Sequence, residues 1–222
     1  MARRMSPENA GEELPGWATA EVLVLGCGNP LMGDDGFGPA VAERLLSAGA
    51  GCRVSGVGDE RMGVEGKLSE IGHGKSSSVA VPTPDTLRPT PDLCVINAGT
   101  GSRGIIFNLV AGPVRPKAII IVDALNAGKR PGELFWVKVE DLSIEKAEDF
   151  SLHMTPASNM LLELQKTGVK IEILACQPKN LPEAMSEGLS PEVAQAVAPA
   201  AEMVMDMAGK MSARKGGRKT PE

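Results

Sequence analysis

Along the chain, stretches of nearly continuous apolar residues alternate with amphipathic ones. Glu21-Val22-Leu23-Val24-Leu25-Gly26 has almost no polar interruption, the pattern of a strand buried on both faces and hence of a parallel sheet. Leu93-Cys94-Val95-Ile96 reads as a second strand. Ala118-Ile119-Ile120-Ile121-Val122 is the most hydrophobic run and is expected at the sheet's centre, ending at Asp123. Leu134–Val139 and Lys170–Cys176 read as two further strands, the latter alternating in its first half. Between them lie helical patterns. One starts at Pro39 and stops before Gly49 and Gly51; others cover residues 102–111 and 155–167, the latter with Met160, Leu161 and Leu164 inward. Ser190 as N-cap and Pro191 at the first helical position open a last helix to about Met211. Strands alternating with helices predict an α/β fold, a three-layer α/β/α sandwich with a mostly parallel twisted sheet.

The rhythm fails in one place. Residues 55–91 are rich in Gly, Ser and Pro and show little periodicity, apart from a short helical pattern at 62–71. Such a segment inside a compact domain reads as an irregular insertion. Residues 20–211 are therefore expected to form a single α/β domain carrying that insertion, with loose tails at 1–19 and 212–222.

Composition narrows the function classes. With 23 basic and 28 acidic residues the net charge is −5, which argues against a nucleic-acid binder; the basic cluster at Arg214–Lys219 reads as a solubilising tail. There is no Tyr, with two Trp and four Phe, so the core must be aliphatic, with Met as filler. The four cysteines form no CxxC pair, and buried reduced thiols are the default reading for Cys94 and Cys176. MARRMSPENAGEELPGW lacks the apolar run of a signal peptide, and no stretch approaches the ~18 apolar residues of a membrane span. A soluble cytoplasmic protein is expected.

The chemistry concentrates in GCGNPLMGDDGFGP, residues 26–39, between the first strand and the first helix. Such Gly-rich turns commonly cradle phosphate, but this one lacks the third glycine of a dinucleotide fingerprint and the Gly-Lys-Ser/Thr of a P-loop. Asp34 and Asp35 would also repel a pyrophosphate. They would attract a cation. Carboxyl ends of parallel strands share one edge, so Asp123 can come close to Asp35 there. Of the two histidines, His73 lies in the irregular insertion and reads as an exposed loop residue; His153 stands in Ser151-Leu152-His153-Met154, just before a helix. Two carboxylates and an imidazole suit a divalent ion such as Zn²⁺ or Ni²⁺ with coordination positions left open.

The run Val22-Leu23-Val24-Leu25-Gly26-Cys27-Gly28-Asn29-Pro30-Leu31-Met32-Gly33-Asp34-Asp35-Gly36-Phe37-Gly38 resembles the opening of the nickel–iron hydrogenase maturation endopeptidases. Ile121-Val122-Asp123-Ala124 and Ser151-Leu152-His153 resemble that family's two later motifs, in the same order. The resemblance implies a phosphorylase/hydrolase-like fold. It also implies a metal-contacting and catalytic trio of Asp35, Asp123 and His153. The metal is nickel already inserted in the hydrogenase large-subunit precursor, with Zn or Cd able to substitute. The implied reaction is removal of that precursor's C-terminal extension by a monomeric enzyme, with no nucleic-acid or membrane partner. Metal-assisted hydrolysis, and docking by the metal with Asp35 or Asp34 as general base, both remain open. The glycines of the loop read as room for a foreign peptide and its metal, and Asp34 as assisting Asp35 or capping the helix. One departure is Asn97-Ala98-Gly99-Thr100-Gly101, where the family often has Asp-Gly-Gly-Thr. The long insertion resembles the branch serving F420-reducing hydrogenases. The alternatives are a non-catalytic, chaperone-like metal-binding assembly protein on the same fold and, further off, a nucleotide or small-molecule enzyme of the doubly wound class.

Overall fold

The computed structural model describes residues 16–51, 93–142, 157–182 and 184–212. The insertion at 55–91, His73 and His153 lie outside them. A helical turn, α1 (Gly16–Thr19), precedes β1 (Val22–Cys27), and α2 (Phe37–Ser47) follows. Next come β2 (Leu93–Gly99), α3 (Ser102–Ala111), β3 (Ala118–Ala124) and β4 (Leu134–Val137). The chain continues through α4 (Ala157–Lys166), β5 (Lys170–Cys176) and α5 (Pro191–Ser212). Gly16–Thr19 fall within the stretch read as a loose leader, but Ala18 is buried and Trp17 packs against the core.

The five strands form one sheet in the order β2-β1-β3-β5-β4, with all pairings parallel except the antiparallel edge pair β4–β5. β3 lies in the middle, as its unbroken Ile run predicts, and every residue of β1 and β3 is buried. Helices cover both faces. Val22, Val24, Ile120, Val122 and Leu174 pack beneath α2 and α5, while Leu23, Leu25, Ile119, Ile121 and Ile173 pack beneath α3 and α4. Buried positions Val193, Ala196, Ala200, Val204 and Ala208 follow helical spacing along α5, the small residues letting it lie close against α2.

The strand order reverses between β1 and β3, so the crevice beyond their carboxyl ends is the topological switch point, where ligands bind in open α/β sheets. The register pairs Gly26 with Val122, which makes Cys27 and Asp123 neighbours one step further on. Alternation turns both toward the α3/α4 face, the side of Leu25 and Ile121.

The loop after β1 is drawn tightly onto the sheet. A Cβ at Gly38 would lie 2.2 Å from the Cys27 carbonyl oxygen and 2.3 Å from that of Val122; one at Gly26 would lie 2.3 Å from the Gly38 carbonyl oxygen. The space these glycines provide is filled by the protein's own backbone, not held open for a peptide. Asp34, in the 3-10 turn Gly33–Gly36, is buried and directed to the α5 side. Its Oδ2 accepts from the Lys179 amide at 2.8 Å and the Ser190 hydroxyl at 3.0 Å, and its Oδ1 accepts from the Ser190 amide at 2.6 Å. Asp34 is thus neither the cap of α2, whose N-cap is Gly36, nor directed to the side of Asp123. It anchors the start of α5. Burial first, and then the charge of Asp34, pushes the Cys176 thiol up to about 12.

Two stability outcomes follow. Asp34→Ala leaves two part-buried amides without an acceptor and is expected to cost about 1–3 kcal/mol in urea unfolding. Gly38→Ala forces a methyl into two carbonyl groups and is expected to cost about 3 kcal/mol or to prevent soluble expression. A change below about 0.5 kcal/mol in either variant would contradict the packing described.

Candidate functional site

Asp35 follows Asp34 directly, yet serves the other face. Its Oδ2 accepts from the Asn29 amide at 2.8 Å, closing the glycine loop on itself. The Asp35 backbone amide donates to the Met32 carbonyl at 3.2 Å, so the turn holds both ends of the residue. Gly28 makes the approach to Asp123 feasible. With φ at +120°, it has no Cβ to collide with the Asp35 carbonyl oxygen, which would lie 1.9 Å away; Asp123 Oδ1 would lie 3.4 Å from the same Cβ. Asp35 and Asp123, far apart in sequence, therefore flank one glycine at the switch point.

Asp123 is 2% exposed. Its Oδ1 accepts from the Ala124 amide at 2.9 Å, and its buried Oδ2 has no hydrogen-bond partner among the described residues. Burial pushes the Asp123 carboxyl well above the usual carboxylate range, and the negative charge of Asp35 adds to the shift. A buried carboxylate oxygen without a donor is costly in water-free surroundings and is the natural acceptor for a cation or proton. Among the described residues no group of three or more His, Cys, Asp or Glu is disposed to hold a metal alone. The pair Asp35 and Asp123 is brought together; the third residue of the expected trio, His153, lies outside the described residues.

Cys27 adjoins the pair and is fully buried, with its thiol directed at the Leu25 carbonyl oxygen at 3.7 Å. Burial, then the charge of Asp123, raises its pKa strongly, so it is held as a thiol and is a poor nucleophile. Cys27 and Cys176 are free, whereas Cys94 is in a disulfide whose partner lies outside the described residues. The expectation of a reduced Cys94 is thereby corrected. An apolar strand predicts burial of its cysteine, but carries no information on whether a second thiol lies beside it.

Two residues escaped the sequence reading. Ser102, 1% exposed, begins α3 beside Cys27. Gln177, 5% exposed, immediately follows β5, and its side chain makes four hydrogen bonds. Its Oε1 accepts from the amides of Ala127 at 2.8 Å and Lys129 at 3.0 Å; its Nε2 donates to Asn126 Oδ1 at 2.9 Å and the Pro178 carbonyl at 3.1 Å. The chain leaving Asp123 is thereby held by a side chain where the β3–β5 ladder ends. The one available signal was its place directly after a strand on the site's edge.

A groove of about 530 Å³ lies at the opposite, amino edge of the sheet, lined by residues that include Glu21, Arg115, Lys117 and Lys170. It contains neither member of the buried acidic pair. This groove and the acidic pair thus sit on opposite edges, and the site is assigned by its chemistry.

Comparison with known proteins identifies the family of the chain. A family model described as hydrogenase maturation protease matches residues 84–207, from before β2 into α5. A Methanothermobacter thermautotrophicus protein named coenzyme F420 hydrogenase subunit delta is 30% identical over 163 residues, covering 73% of this chain and 77% of its own. A Cupriavidus necator protein, hydrogenase expression/formation protein HoxM, is 30% identical over 99 residues, covering 42% of this chain and 46% of its own. Among solved structures, the hydrogenase maturating endopeptidase HybD from Escherichia coli superposes with a TM-score of 0.55 at 20% identity, covering 87% of this chain and 94% of its own, which bears on the fold. With more than half of its residues matched by the family model, the chain belongs to the hydrogenase maturation protease family and is a peptidase.

Proposed function

We propose that this peptidase removes the C-terminal extension of a nickel–iron hydrogenase large-subunit precursor after nickel has been inserted, with Asp35, Asp123 and His153 contacting that nickel. The observation that carries the reading is the buried Asp123 Oδ2, unpartnered beside Asp35 at the switch point. Nickel arriving with the substrate is a cation brought to that oxygen, and precursor without nickel lacks the group that would draw it in. The same oxygen serves either route to bond cleavage, because both require the precursor's metal to be seated first. The name of the F420 hydrogenase relative supports a substrate from the F420-reducing branch.

The test mixes the protein with nickel-loaded and nickel-free precursor and weighs the products. A C-terminal peptide is expected only from loaded precursor. Binding without a change in mass would favour the chaperone-like alternative. His153→Ala is expected to abolish processing while leaving the circular dichroism spectrum unchanged; full activity in that variant would overturn its role.

Asp123→Asn separates function from stability. In the folded protein the Asp123 pKa is raised, so the fold holds a proton that the unfolded chain releases, and stability falls as pH rises above the unfolded carboxyl pKa. Asn removes this penalty. The variant is expected to be inactive yet more stable than the metal-free parent at pH 7, by about 1–3 kcal/mol or several degrees of Tm. That advantage should shrink toward zero near pH 4 and below, where the parent's carboxyl is protonated in both states. Thermal melts across pH 3.5–7.5 check the sign; a destabilised variant at pH 7 would assign Asp123 a structural role.

A further inference from the structure

Three of the five large hydrophobic residues exposed among the described residues belong to two segments strapped together at the carboxyl edge. Leu31 is 47% exposed on the glycine loop; Leu181 and Met185, 36% and 76% exposed, lie between β5 and α5. Met32 and Ser186 form a parallel bridge. The Ser186 amide donates to the Leu31 carbonyl at 2.9 Å, and the Gly33 amide donates to the Ser186 carbonyl at 2.6 Å. Gly33, at φ +58°, lies against the Pro182 ring. The strap is fastened again by Asp34, which holds Lys179 and Ser190 on either side of it. These side chains are therefore kept in water by a well-bonded backbone rather than exposed on a loose loop.

The strap is continuous with the site. Asn29 joins the two, since its amide donates to Asp35 Oδ2 and its side-chain Oδ1 accepts from the Leu31 amide at 3.0 Å. From Asn29 to Gly33 the loop carries no charged residue. We propose that Leu31, Leu181 and Met185 form the specificity surface for the substrate polypeptide, binding an uncharged, apolar stretch of extended chain beside the bond that is cut. This rests on the peptidase reading above, and a polypeptide is the occupant because the surface adjoins the site at which a polypeptide must be held. Apolar contact outside the metal site supplies affinity for the chain without altering how nickel is recognised.

The test measures steady-state processing of nickel-loaded precursor by the full-length protein and by Leu31→Lys, Met185→Lys and the double variant. Each single variant is expected to raise KM about 5–10-fold with kcat within twofold, and the double variant to raise it further. Phe107→Lys, at another exposed apolar residue, on α3, serves as a control and is expected to leave KM unchanged. Melting temperatures should be unaltered, because all three positions are exposed. Unchanged KM in the double variant, with active parent protein, overturns the proposal. So does a parent that sediments as a dimer which the double variant dissociates without a change in KM, since the occupant would then be a second copy. A parent that never processes loaded precursor instead overturns the peptidase reading, which keeps the two failures distinct.

Discussion

Two adjacent carboxylates are sent to opposite faces of one sheet, and the carboxyl edge is organised around that division. Asp34 turns toward α5 and is saturated by the amides of Lys179 and Ser190 and the Ser190 hydroxyl. Asp35 turns toward the face of Asp123. A 3-10 turn is what separates them, because with three residues per turn successive side chains point about 120° apart. Without Asp34 the turn would lose its direct hydrogen bonds to the start of α5, and the support behind Asp35 would weaken. One carboxylate supplies the rigidity that lets its neighbour face a second acidic group.

That rigidity explains the glycines. A site built from two acidic side chains opposes the ionisation of both, since like charges in a buried setting repel strongly. The backbone must impose the approach. Gly28 lets the Asp35 carbonyl press against β1, and Gly26 and Gly38 let α2 sit directly on the strand ends. The glycines therefore preorganise the pair by admitting the protein's own backbone, rather than by clearing a path for substrate. Gln177 continues the same device past Asp123, where side-chain hydrogen bonds hold the chain after the ladder stops.

What was legible in the sequence divides along physical lines. β1 and β3 could be read because burial on both faces leaves an unmistakable composition, and α5 because Ser190-Pro191 marks its start. The shared edge of Asp35 and Asp123 followed from parallel strand direction alone. The role of Asp34 was not legible. Its partners are backbone amides about 145 to 156 positions away, and an amide has no residue-specific signature in a sequence. The glycine loop was misread for a related reason. A glycine admits close approach, but only the fold decides whether a ligand or the chain itself approaches. The exposed Leu31 and Met185 were equally silent, since an apolar residue in a loop reads the same whether it turns in or out.

The state of Asp123 is the remaining step. Oδ1 has a backbone donor, so the carboxyl group is oriented; Oδ2 has none among the described residues, although the same sheet edge supplies amides to Asp34 and Asp35. The contrast within one edge is informative. Where a carboxylate serves the fold, this protein surrounds it with donors, as at Asp34. Leaving the neighbouring face short of a donor is a local loss of stability, tolerated because β3 is buried along its whole length and the surrounding apolar packing holds the strand in place. The unsatisfied oxygen then retains its full capacity for an incoming cation, and a group satisfied in advance would have to break a hydrogen bond to meet it. The local loss of stability and the open acceptor at Asp123 are thus two consequences of the same missing donor.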